Sequence, residues 1–302
     1  MTLPFSEKQR VLWLLFLPDL YPIMLRNQRK GPDTKVPNQM VGPVVASGIM
    51  ATFSANLGFL WNDRPLPDAI RAAADSGFDA VECHWPYDTP ASETAAALSE
   101  TGLTMLGLNT RRGADDEFGL AALAGRAREA RLSIDEAIRY ACTISASAVH
   151  VMAGLAPPKP DAFLTFLGNL RYACEQAAPH DITILIEPLN TLDTPGYYLH
   201  NTIDAAGIID AVDRPNLKLM FDCYHTAKSG ADVLELLPQV LPILGHVQFA
   251  SVPDRTEPDH GDLDYASVFE MLDGLGWDRP LGAEYRPTGT VEQGLSWMQT
   301  LR

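Results

Sequence analysis

From residue 50 onward one pattern repeats along the chain: a short run rich in β-branched and apolar residues, a polar loop, then a helix-like stretch rich in Ala and Leu. That alternation is the signature of parallel β/α units. The apolar runs predict strands at 52–57, 78–83, 103–109, 148–154, 182–189, 217–223, 244–251 and 280–285. Helices are predicted between them at 66–76, 90–101, 116–145 (with a break), 161–178, 202–212, 231–240, 265–275 and 291–301. Eight such units in about 250 residues match a single (β/α)8 TIM barrel.

A doubly wound open sheet competes with this reading, and the polar positions decide between them. Nearly every strand ends on a polar or ionisable side chain: Asn56, Glu82, Asn109, His150, Glu187, Asp222, Gln248 and Glu284. A barrel gathers all its strand ends on one face, where active sites sit, whereas an open sheet spreads them along a line.

The last four of these residues stand at the same level of successive units, so their side chains can converge on one point. Three carboxylates brought together repel one another unless a cation neutralises them. An oxygen-rich set without sulfur suits a hard divalent ion, Mg²⁺ or Mn²⁺. Singly, each residue has a plain alternative: Glu187 before Pro188 could cap a turn, and Gln248 could be a satisfied core amide. Four coincidences at one level favour the metal site.

Composition narrows the functional classes. The chain has 302 residues, 46% of them hydrophobic and 20% charged, the balance of a globular protein. A net charge of -15 argues against nucleic acid as a partner. Cys83, Cys142, Cys174 and Cys223 are widely spaced and read as reduced thiols of a cytoplasmic protein. Residues 1–49 differ from the rest: they are basic, and 26–48 are rich in Gly, Pro and polar residues. The run VLWLLFL at 11–17 is too short to span a bilayer, and no cleavage-site pattern follows closely. We therefore expect a dispensable extension over 1–49 and a catalytic barrel over 50–302, with Met50 as the functional start and no membrane association.

Around the four site residues, His225 follows Asp222 by three positions, placed to donate a hydrogen bond to a substrate oxygen. His246 shares a strand face with Gln248 one layer deeper. His84 and His150 lie near strand ends as pocket-lining candidates. In an acidic protein an anionic substrate needs local cations, and Arg111, Arg255 and Arg286 follow strands where a guanidinium could grip a carboxylate. Arg255 lies in a long loop, VPDRTEPDHGDLDY, able to fold over the site as a lid.

These stretches resemble a known family. FSANLGFLW, VECHWPYD, VHVMAG, IEPLNTLDTPGYYL, FDCYH, HVQFAS, the R-x-E-P segment at 255–258 and AEYRP together make the chain from Met50 onward similar to hydroxypyruvate isomerases and 2-oxo-tetronate isomerases, xylose-isomerase-like TIM barrels. The resemblance implies a divalent metal on Glu187, Asp222, Gln248 and Glu284, with Glu187 and Glu284 as the proton-transferring pair. It implies a small anionic keto acid or sugar acid as substrate. A ketose 3-epimerase and a non-catalytic sugar-acid binder are the alternatives. The segment PDHGDLDY departs from the family, placing Asp262 where a glutamate is common. Oligomeric state is open, a homo-oligomer included.

Overall fold

Apolar runs of three to six residues, buried along most of their length except in β3, form the strands: β1 Phe53–Asn56, β2 Ala80–Cys83, β3 Thr104–Asn109, β4 Ala148–His150, β5 Thr183–Ile186, β6 Leu217–Asp222, β7 Leu244–Phe249 and β8 Leu281–Ala283. The computed structural model describes residues 51–302. The expected extension 1–49, the run at 11–17 and the start at Met50 lie outside the described residues. All neighbouring strands pair in parallel, and β8 closes back on β1. The architecture is the expected (β/α)8 barrel.

The helices are α1 Leu66–Asp75, α2 Ala91–Thr101, α3 Ala127–Ile144, α4 Pro160–Ala177, α5 Thr202–Val212, α6 Cys223–Lys228, α7 Val233–Val240, α8 Tyr265–Gly274 and α9 Trp297–Leu301. Helix α6 is not among the predicted helices, and two predicted ones differ from expectation. The first part of the helix predicted at 116–145 is irregular, and only Ala127–Ile144 is helical. Gly119 explains the break: its φ is +109°, and a Cβ there would sit 2.4 Å from Met152, so only glycine lets the chain pass. The helix expected at 291–301 is a 3-10 turn at Val291–Gly294 followed by the short α9.

Alternation along each strand sorts side chains between barrel interior and helix layer. Phe53 and Phe249 face outward and meet Phe269 of α8 and Trp297 of α9, with ring centroids 4.9 Å apart for Phe53–Trp297 and 5.4 Å for Phe249–Trp297. Truncating one fully buried aromatic in such surroundings costs about 3–5 kcal/mol. This packing anchors the seam of β7, β8 and β1. Their inward positions, His246 and Gln248, Gly282 and Glu284, Ser54 and Asn56, are held by that seam at the carboxyl face. All four cysteines are free, and among the described residues no helix is long and apolar enough to cross a membrane.

Candidate active site at the strand ends

Where β5, β6 and β8 run out, Glu187, Asp222 and Glu284 enter the barrel mouth, and His225 joins them from the first turn of α6. One ligand-capable atom from each of the four lies within 4.8 Å of the other three, and all four residues are buried. Gln248 is beside them, since register pairs it with Asp222 on one side and Gly282 on the other.

Asp222 and Glu187 each keep an oxygen without a donor, whereas Glu284 is held on both. Asp222 Oδ1 accepts the backbone N–H of Tyr224 at 2.7 Å and caps α6, while Oδ2 accepts no hydrogen bond. Glu284 Oε1 accepts from Asn56 Nδ2 at 3.0 Å and faces His84 Nε2 at 3.0 Å; its Oε2 accepts from Arg255 Nη2 at 2.5 Å. Glu187 Oε1 and Gln248 Oε1 accept nothing. A buried acceptor without a donor carries a desolvation penalty of about 1–3 kcal/mol. Three such oxygens, two on the acidic cluster and one on the neighbouring Gln248, fit a hard divalent cation, which binds oxygens and would relieve all three penalties together.

Electrostatics separates the carboxylates. Burial, reinforced by the charges of Glu284 and Asp222, pushes the Glu187 carboxyl well above its usual range. Asp222 is pushed up to about 7 by burial, with Arg255 opposing. At Glu284 burial also disfavours the charge, but Arg255 and His84 outweigh it and hold this carboxyl well below the ordinary range. Arg255 comes from the loop after β7, adopts the left-handed φ of +58°, and lies over the rings of Phe59 and Tyr224. Its guanidinium also lies 3.6 Å from Asp222 Oδ2.

His225 is present as a donor. Its Nδ1 accepts the backbone N–H of Asn190 at 3.1 Å and the Asn190 amide at 2.7 Å. Burial, with Arg255 nearby, lowers its pKa to about 3. The neutral ring therefore carries its proton on Nε2, the atom that faces Asp222 at 3.7 Å and Glu187 at 4.0 Å. A protonated Nε2 can give a hydrogen bond to a substrate oxygen but has no lone pair for a metal, which leaves Gln248 Oε1 as the fourth acceptor. Asn190 is in turn fixed by Asp193, which also accepts from the Tyr224 hydroxyl. His150, likewise lowered to about 3 by burial, lies 3.7 Å from Glu187 Oε2.

Of the residues singled out from sequence, the structure gathers Glu187, Asp222, Gln248, Glu284, His225, Arg255, His84 and His150. Arg111 is turned elsewhere: its guanidinium pairs with Glu136 and stacks on Tyr87. Arg286 is exposed beside Phe59 and lines a groove of about 450 Å³ with Trp61 and Glu292. Sequence reasoning gave no part to Asn190, Asp193 or Tyr224, or to the contacts of Asn56 and Glu82. The only signal for the last two was their position at strand ends.

Comparison with known proteins places this geometry in a family. The family model described as xylose isomerase-like TIM barrel matches residues 70–301. The 2-oxo-tetronate isomerase of Cupriavidus necator is 43% identical over 255 residues, 83% of this chain and 98% of that protein. The hydroxypyruvate isomerase of Escherichia coli is 34% identical over 258 residues, 84% of this chain and 100% of that protein. Among solved structures, one described as an AP endonuclease of family 2 from Brucella melitensis superposes with a TM-score of 0.81 at 38% identity, covering 84% of this chain and 100% of that one. The chain belongs to the xylose isomerase-like TIM barrel family, and both named curated relatives within it are isomerases.

Proposed function

We propose that this enzyme isomerises a small 2-keto acid bearing a neighbouring hydroxyl, of the hydroxypyruvate or four-carbon 2-oxo-tetronate type, through an enediolate. The observation that carries the reading is the convergence of Glu187, Asp222 and Glu284 inside 4.8 Å, with Glu187 Oε1 and Asp222 Oδ2 left without a donor. The isomerase relatives support the substrate class. A hard divalent ion, Mg²⁺ or Mn²⁺, held by Glu187, Asp222, Gln248 and Glu284 would supply Lewis-acid polarisation and offset the developing negative charge.

The remaining chemistry falls to the side chains. One of Glu187 and Glu284 removes the proton from the carbon bearing the hydroxyl, and one of the two delivers a proton to the former carbonyl carbon. In the metal-free site Arg255 and His84 keep Glu284 ionised while burial raises the Glu187 carboxyl, so the two carboxylates differ in their hold on a proton. His225 Nε2–H donates to the substrate oxygen that gains charge as the hydroxyl proton passes to the old carbonyl oxygen. Arg255 faces the substrate carboxylate, with His84 and His150 lining the pocket wall.

Proton NMR in deuterated water tests this directly. Hydroxypyruvate and four-carbon 2-oxo acids, incubated with the protein and Mn²⁺ or Mg²⁺, should incorporate deuterium at the carbon that receives the proton and yield the isomeric semialdehyde or 3-keto acid. An unchanged spectrum across that panel would sink the proposal.

A further inference from the structure

Below the mouth of the barrel, a buried carboxylate that the mechanism does not use is fully committed. Glu82, 4% exposed at the end of β2, accepts from Asn56 Nδ2 at 2.9 Å, Gln248 Nε2 at 2.7 Å and His246 Nε2 at 2.5 Å. Gln248 and His246 stand on β7, and β1 and β8 separate that strand from β2. The side chain of Glu82 therefore reaches past two strands through the barrel interior.

It can do so because position 282 is a glycine. A Cβ on Gly282 would lie 2.7 Å from Glu82 Oε2 and 2.9 Å from Gln248 Cγ, so any other residue there would collide with both partners. No turn explains this glycine: it is a strand residue in register with Ser54 and Gln248 and has no positive φ. The room it leaves is the room the Glu82–Gln248 bond occupies.

We propose that Glu82 is the positioning residue for the cation site: by accepting the Gln248 amide N–H within the space left by Gly282, it aims Gln248 Oε1 at the acidic cluster. An ionised carboxylate is acceptor-only, so only the NH₂ end of the amide can face it. The reversed amide would set oxygen against oxygen. With Nε2 committed, Oε1 is turned the other way, and it is one of the buried acceptors with no partner. The same Glu82 oxygen also accepts Asn56 Nδ2, which it shares with Glu284 Oε1. His246 holds the other oxygen and keeps Glu82 from rotating away. Partners that fix a ligand's orientation set its affinity for the ion.

This inference rests on the cation site proposed above, and Mn²⁺ binding alone, read by electron paramagnetic resonance of free Mn²⁺, tests the two separately. Glu82→Ala should weaken Mn²⁺ binding by about 10–100-fold. Glu82→Gln keeps an acceptor oxygen for Gln248 and Asn56 and should stay within about threefold of the parent. In a Gln248→Ala background, Glu82→Ala should add little further loss, because the ligand it aims is gone. If Glu82→Ala does not fold, Glu82→Met, which fills the space without an acceptor, takes its place in the cycle. A parent that binds no Mn²⁺ removes the cation site and the inference with it. A parent that binds Mn²⁺, with Glu82→Ala binding equally well or losing as much when Gln248 is absent, overturns the positioning role alone.

Discussion

Glu284 is the most constrained single residue of the site. Asn56 and His84 hold one of its oxygens and Arg255 the other, so its carboxylate is fixed in orientation. Glu284→Gln is nearly isosteric and keeps the acceptor that Asn56 uses, but it removes the basic oxygen and the charge facing Arg255. If Glu284 belongs to the proton-transferring pair, kcat should fall by about 10²–10⁴-fold, the usual worth of a positioned acid or base. Circular dichroism should stay that of the parent. Parental turnover in this variant would remove Glu284 from the pair. The companion carboxylate, Glu187, has no such grip on Oε1, and burial together with the neighbouring carboxylates raises its pKa.

At the level of elements, Asp222 joins strand to helix. It ends β6, and its Oδ1 is the N-cap of α6, while Oδ2 belongs to the cluster. The two oxygens can be tested apart, because Asn caps a helix about as well as Asp. Asp222→Asn should therefore leave the metal-free melting temperature at or above that of the parent, since it deletes a buried charge whose pKa is pushed up to about 7. Mn²⁺ affinity should drop by about tenfold or more, which is roughly 1.4 kcal/mol or more. A lower metal-free melting temperature with intact Mn²⁺ binding would assign Asp222 to capping alone. The eight strands and the four residues Glu187, Asp222, Gln248 and Glu284 were readable in the sequence because strand ends in a parallel barrel share one face. Helix α6 was not, since six residues are too few to show a period. The stretch at 116–126 looked helical from its Ala and Leu content, and Gly119 overrides that content through a close backbone approach. Arg111 follows β3 as the site would require, yet Glu136 on α3 draws its side chain away, a tertiary preference that spacing cannot reveal. The Glu82–Gln248 bond crosses the barrel between residues 166 apart in sequence, and nothing local announces it.

For the whole molecule, the site is a place where folding and cation binding oppose each other over protons. Asp222, pushed up to about 7, and Glu187, also raised, hold protons in the folded metal-free protein that the unfolded chain has already released. Their contribution to stability therefore declines as pH rises toward 7. His150 and His225 act with the opposite sign. Both are lowered from 6.5 to about 3, so the unfolded chain binds protons the folded one refuses, and their contribution grows as pH rises between those values. A melting curve of the metal-free protein mixes the two effects. The difference between melts with Mn²⁺ and with a chelator isolates the carboxylates, because the histidines are neutral in the folded protein either way. At about pH 5.5 the ion must displace the proton of Asp222, whereas at about pH 8 Asp222 has already lost it, so metal binding costs less. The rise in melting temperature produced by Mn²⁺ should accordingly be larger at the higher pH, and Asp222→Asn should flatten that dependence. A Mn²⁺ effect of equal size at both pH values would mean that these carboxylates are not the groups that bind the ion.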